Sequence, residues 1–265
     1  LAETTSAKAI DARHAQWAKQ LPETPADLWD ALTAFDNDSL AALFAHCASL
    51  TVNVVKEPWN RRPGALNHGD LLARAAMAGE ADVDRAVAAS REASAGAWGR
   101  TPPTERARLL HALADAILAN RKELAELETR NVGKAISSVK GEVGGAAENF
   151  RFYASAIASI GGRANPIGGS LLFYSLKEPV GVAGCIVPWN GPALNAVIKL
   201  GPALTAGCSV VLKPAEETPL SARLLGEILV EAGVPEGVVN IVDGYGHTAG
   251  AALLSFIPTV VGFVA

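Results

Sequence analysis

The chain has 265 residues, of which 49% are hydrophobic and 19% charged, with a formal net charge of −4. That balance excludes a wholly disordered chain and argues against a basic nucleic-acid surface along its length. Cys47, Cys185 and Cys208 stand far apart with no C-x-x-C spacing, which argues against a disulfide framework or zinc site and for a reducing, cytoplasmic compartment.

The sequence begins at Leu1, and its only methionine is Met77. It shows no N-terminal signal-type segment and no long uncharged apolar run, so no membrane association is expected. Residues 1–76 hold three of the five Trp, three of the five His and few glycines, and the remainder is rich in Gly and Ala. Helices are expected over 12–19, over 26–35 behind the cap Thr24-Pro25, and over 40–49 behind Ser39. Residues 50–55 read as a short strand, and 61–70 (RRPGALNHGD) as a loop or linker.

The next helix is expected over 82–97, with Val83, Ala86 and Val87 on one face. Thr101-Pro102 opens a long helix to about residue 129, striped by Leu109, Leu110, Leu113, Ile117, Leu124 and Leu127. Another is expected over 142–160, with Phe150, Tyr153 and Ile157 on one side and Gly161-Gly162 at its end. Strands follow at 170–177 (SLLFYSLK), 182–187 (VAGCIV), 208–213 (CSVVLK) and 238–242. Helices over 193–206 and 220–232 separate the last three, closed by Gly207 and Gly233. This alternation argues for an α/β fold with a parallel sheet, crossover helices and cover on both faces.

The motifs cluster between Glu178 and Gly250: EPVGVAGCIVPWNGP, then KLGPALTAGCSVVLKPAEETPL, then EAGVPEGVVNIVDGYGHTAG. Pro188-Trp189-Asn190 follows an apolar strand at the carboxyl edge of the sheet, where open α/β folds bind ligands. An Asn amide there can donate to a developing oxyanion, and it can equally cap the next helix. Lys213 ends a strand and Glu216 follows one turn later, a donor and an acceptor suited to ribose hydroxyls. Gly246 and Gly250 lie in a loop that permits close backbone approach to a ligand.

In order and spacing these motifs resemble the cofactor-binding region of the NAD(P)-dependent aldehyde dehydrogenase family, over roughly residues 81–255. The resemblance implies an incomplete Rossmann-like sheet behind a helical N-terminal region, dividing the chain into 1–76, of unrelated character, and 77–265. It assigns the oxyanion role to Asn190, with Lys199 a secondary candidate near the active site. It assigns cofactor binding to Pro188, Trp189, Lys213, Glu216, Gly246 and Gly250. NAD is favoured, because Glu216 would repel a 2′-phosphate, and NADP remains allowed. The implied substrate is an aldehyde, and no metal is implied. Residues 170–177, from Ser170 to Lys177, resemble the strand through which the family's subunits associate, so a homo-oligomer is expected.

Aldehyde oxidation in that family needs a nucleophilic cysteine and a glutamate that activates water. Both lie downstream of the matched motifs, and the chain ends at Ala265 before they would occur. Cys185 and Cys208 fall in strands and read as buried structural thiols, so the chain alone is expected to be inactive. Its tail, LSFIPTVVGFVA, also departs from the strand and phosphate-binding turn of the family. Pro58-Trp59-Asn60 repeats the tripeptide without a following Lys-Pro-x-Glu and takes no role.

RHAQWAKQLP, LFAHCASLTVNVV and EPWNRRPGALNHGDLLARA in the first segment resemble the C-terminal part of ParB-family partition proteins. Two alternatives follow. One is a partition-type, nucleic-acid-associated module carrying an enzyme remnant, although Arg61, Arg62 and Arg74 form only a sparse basic set. The other is a non-catalytic subunit that docks on a complete enzyme.

Overall fold

A computed structural model describes residues 52–56, 71–166 and 172–256. The helices expected over 12–19, 26–35 and 40–49, the copy Pro58-Trp59-Asn60, the loop at 61–70, Cys47 and the departing tail beyond residue 256 lie outside the described residues. The first described element is an antiparallel pair, β1 (Val52–Lys56) with β2 (Leu71–Ala76), registered Val52 to Ala76. β1 matches the expected Val-rich strand. β2 was not expected, because Leu and Ala favour helix and only pairing with β1 selects the extended form.

Four helices follow: α1 (Glu80–Ala95), α2 (Pro103–Ala119), α3 (Arg121–Val132) and α4 (Ile136–Ala156). The long helix expected from residue 101 to 129 is broken at Asn120, which has φ −95° and ψ 12°. Its side-chain amide donates to the Ala116 carbonyl at 3.0 Å, and its own carbonyl accepts from Leu124 N–H at 3.0 Å. A short amide that competes for backbone partners thus closes α2 and opens α3. The expected stripe survives the break, with Leu110, Leu113, Ile117 and Leu124 all buried. Each such side chain contributes roughly 1.5–3 kcal/mol by leaving water.

Gly133 ends α3 in the left-handed region at φ 80°, which glycine adopts without a Cβ clash. α4 starts six positions before the expected residue 142. Gly141, Gly144 and Gly145 weaken its intrinsic propensity, while buried Val139 and Val143 supply tertiary packing that outweighs it. Its end also differs, since Ile157–Ser159 forms a 3-10 turn.

The strand expected over 170–177 is shorter. β4 (Leu172–Tyr174) pairs antiparallel with β3 (Ala164–Pro166), a three-residue strand holding a proline and therefore unmarked by any apolar run. Leu172, Phe173, Tyr174 and Leu176 are exposed.

The main sheet is parallel, in the order β5 (Val182–Ile186), β6 (Ser209–Lys213), β7 (Val239–Ile241). Crossover helices α5 (Pro192–Ala206) and α6 (Leu220–Glu231) join the strands, close to the expected bounds. Alternate side chains serve opposite faces. Ala183, Cys185, Val210 and Leu212 join Phe150, Leu200 and Leu225 in one core beneath α2 to α6. Val182 and Val211 join Val83, Val87, Val242, Ala249 and Leu253 in a second core on the other face. The sheet is therefore covered on both faces, as its largely apolar strands demanded. Ala249 and Leu253 come from one π-helical turn (Gly246–Gly250) and α7 (Ala251–Phe256), neither of which was expected. No described helix is long and apolar enough to cross a membrane.

Candidate functional site

Strand register brings the motifs to one edge. Ile186 pairs with Lys213, and Val187 N–H donates to the Lys213 carbonyl at 3.1 Å, so β5 and β6 end flush. Pro188-Trp189-Asn190 and Lys213-Pro214-Ala215-Glu216 therefore leave the sheet side by side. Val242 N–H donates to the Leu212 carbonyl at 2.9 Å, which carries β7 to the same edge and starts the glycine-rich loop there.

Lys213, Glu216 and Gly246 converge at this edge. The Lys213 side chain is buried, and its Nζ donates to the Pro214 carbonyl at 2.7 Å and to Glu216 Oε2 at 3.2 Å. The second Glu216 oxygen, Oε1, accepts from Gly246 N–H at 3.4 Å. Burial would raise the Glu216 carboxyl, but backbone N–H groups and the Lys213 ammonium outweigh it and hold the group below the ordinary carboxylate range. Glu216 is only partly covered, whereas Lys213 is enclosed.

The loop after β7 is shaped by its glycines. Gly244 has φ 153°, and a Cβ there would lie 2.7 Å from the Ala249 Cβ. A Cβ on Gly246 would meet nothing within 4 Å, so that position is open. Gly250 packs on the Lys213 stem, with its would-be Cβ 3.6 Å from Lys213 Cδ. Asp243, at the start of the loop, is buried, with Oδ2 3.6 Å from Arg223 Nε. Burial pushes its carboxyl up against the opposing pull of Arg223 and Lys213.

The Pro-Trp-Asn turn is held through its backbone. The Trp189 carbonyl accepts from Thr218 Oγ1 at 3.0 Å, and the Asn190 carbonyl accepts from Lys134 Nζ at 2.8 Å. Lys134 lies 2.6 Å from both carboxylate oxygens of Glu142. Pro188 is half-buried, and Trp189 and Asn190 are exposed. Pro192 opens α5 at its first helical position, and the Gly191 carbonyl accepts both the backbone and side-chain N–H of Asn195, at 2.8 and 2.9 Å. Buried Glu128 accepts from Ala193 N–H at 3.1 Å, a carboxylate at a helix N-terminus where the macrodipole favours it. Burial still dominates and pushes the Glu128 carboxyl up.

Lys199 lies on α5, half-buried, and no hydrogen bond among the described residues joins it to Asn190. Its charge acts instead on Cys185, whose thiol burial pushes up to about 12 despite that charge. Cys185 and Cys208 are both free and buried, as expected. Among the described residues no group of three His, Cys, Asp or Glu side chains is placed to hold a metal.

Sequence reasoning missed Lys134, Glu142, Glu128 and Thr218. Lys134 is 56 residues from Asn190 and Glu128 is 65 from Ala193, so no local spacing could reveal them. Asn195 alone left a signal, as a polar residue in the first turn of a proline-opened helix.

Residues 64–259 match the model of the aldehyde dehydrogenase family, extending beyond the 81–255 over which the motifs were recognised. The chain is 48% identical over 177 residues to aldehyde dehydrogenase 1A1 of Ovis aries, covering 66% of this chain and 35% of that protein. It is 46% identical over 184 residues to the NADP/NAD-dependent aldehyde dehydrogenase PuuC of Escherichia coli strain K12, covering 69% of this chain and 37% of that protein. Among solved structures, an NAD+ complex of aldehyde dehydrogenase from Bacillus cereus superposes with a TM-score of 0.73 at 40% identity, covering 79% of this chain and 42% of that one. The chain thus spans about two fifths of the length of the relatives it matches.

Proposed function

The chain belongs to the aldehyde dehydrogenase family, and on that footing we propose that it forms the NAD-binding portion of an enzyme that oxidises aldehydes. The observation that carries the proposal is the convergence of Lys213, Glu216 and Gly246 at the carboxyl edge of a parallel sheet. A buried ammonium beside a partly open carboxylate offers both a donor and an acceptor to a ribose diol. The glycine loop supports the same reading: Gly246 is open, and Gly250 lets the backbone pack on Lys213. Pro188 and Trp189 would line the cofactor at the end of β5. NAD supplies the hydride acceptor when bound.

In this proposal the Asn190 side chain, exposed beyond β5, donates to the oxygen of a polarised aldehyde. Lys199 keeps a secondary place, through its charge near Cys185. Glu216 disfavours a 2′-phosphate, which favours NAD and leaves NADP as the weaker ligand. Cys185 supplies no thiolate, because burial keeps its thiol protonated at neutral pH, and Cys208 is buried just before β6, at the strand end opposite Lys213. Aldehyde-dependent NADH formation by this chain alone is not expected. The division at residue 77 rests on the change of composition there.

A second reading is supported by the exposed apolar run Leu172, Phe173, Tyr174 and Leu176, which favours association through β4, with another copy or with a longer relative. The deciding experiment is calorimetric titration with NAD beside a Lys213→Ala variant. Binding by the parent chain, weakened in the variant, supports the proposal; no heat at millimolar NAD excludes it.

A further inference from the structure

We propose that Lys134 is a positioning residue for Asn190, set in place by Glu142; this rests on Asn190 being the oxyanion donor. Lys134 follows Gly133, whose left-handed turn ends α3 and swings the chain toward α4. Glu142 lies on α4 and holds the Lys134 ammonium 2.6 Å from both of its oxygens. The ammonium then donates to the Asn190 carbonyl at 2.8 Å. Side-chain exposures of 28% and 23% set this pair apart from a solvated surface bridge, and its third partner is a backbone carbonyl rather than water.

The contact fixes the peptide, not the side chain. Pinning the Asn190 carbonyl inward limits rotation of the turn and leaves the Asn190 amide exposed. Thr218 pins the preceding carbonyl, and Glu128 pins the Ala193 N–H beyond it. A donor held in advance where charge develops acts without reorganising at the moment of reaction. Lys134 therefore serves the aldehyde-facing group without touching substrate, from a helix layer otherwise occupied with packing.

The test is NMR of the full chain labelled with 15N-asparagine. It reads the Asn190 backbone and side-chain amide signals and the hydrogen exchange of Asn195 N–H, whose acceptor is the Gly191 carbonyl. Lys134→Met should shift or broaden the Asn190 signals and speed Asn195 exchange about tenfold, the effect of losing one hydrogen bond to a charged group. Lys134→Arg should restore both, because the guanidinium keeps charge and donors. Unchanged Asn190 signals and exchange in Lys134→Met, or an arginine variant that behaves like the methionine one, would overturn the proposal. If Lys134→Met does not fold, Glu142→Gln takes its place and should shift the same signals, while no shift would count as refutation. These measurements need no cofactor, so a failed NAD titration would remove the wider assignment without deciding this one.

Discussion

Glu128 accepts a hydrogen bond from the backbone N–H of Ala193 at 3.1 Å, joining the middle of α3 to the first turn of α5. The bond suits a charged carboxylate, yet burial raises its carboxyl overall. A raised folded-state pKa means that the group contributes stability at low pH, below its unfolded value. That contribution is lost as pH rises through the folded value. Glu128→Gln keeps an acceptor for Ala193 and cannot ionise. It should raise Tm by a few degrees at pH 7, with the gain shrinking toward pH 4. Thermal melts at the two pH values check this; an equal gain at both would refute it.

Lys213→Met retains the buried stem and removes the ammonium. It should weaken NAD binding roughly tenfold or more, as expected for a lost charge-assisted hydrogen bond. Calorimetry gives the ratio of dissociation constants, and circular dichroism confirms that the fold persists. An unchanged constant would place the cofactor elsewhere.

Glu216→Gln should relax the preference for NAD over NADP, by removing the negative charge that faces a 2′-phosphate. The measurement is the ratio of the two dissociation constants in parent and variant. A ratio that does not move would show that Glu216 does not face the 2′ position.

Phe150 is fully buried in the larger core, on α4 where it packs against α2 and α5. Phe150→Ala should cost about 3–5 kcal/mol, read as a lower urea midpoint at similar slope. A loss below about 1 kcal/mol would mean that the core collapses around the gap.

Leu172→Ser with Phe173→Ser should shift the sedimentation distribution toward the monomer if β4 mediates association. Both side chains are exposed in the isolated chain, so the fold should tolerate the change. A distribution identical to the parent's would exclude β4 as the contact.

The parallel sheet was legible because its strands are rich in Val, Ile and Leu and closed by turn formers, and because Gly207 ends α5 where the pattern requires. The edge residues were legible for a related reason. Lys213 ends β6, and Asn190 and Glu216 lie within four residues of a strand end, so locating the strand locates the residue. Asn120 was missed because it sits inside a continuous leucine stripe, and the stripe carries no mark of the break. β2 was missed because Leu71–Ala76 has helical composition and is extended only through its partner. The supports of the Asn190 turn were invisible for a deeper reason: Lys134, Glu142 and Glu128 act through tertiary contacts that local pattern does not encode.

Those supports bear on how small the proposed cofactor-binding unit can be made. A piece starting at Val182 would hold every motif residue from Pro188 to Gly250. It would lack the helices that carry Glu128 and Glu142 and the turn between them that carries Lys134, and it would uncover the face filled by Phe150, Leu110 and Leu113. The stretch that recognises the family and the stretch that can stand as an independent folding unit are therefore different lengths. Any truncation meant to isolate nucleotide binding has to begin upstream of α1, whose Val83 and Val87 close the opposite face.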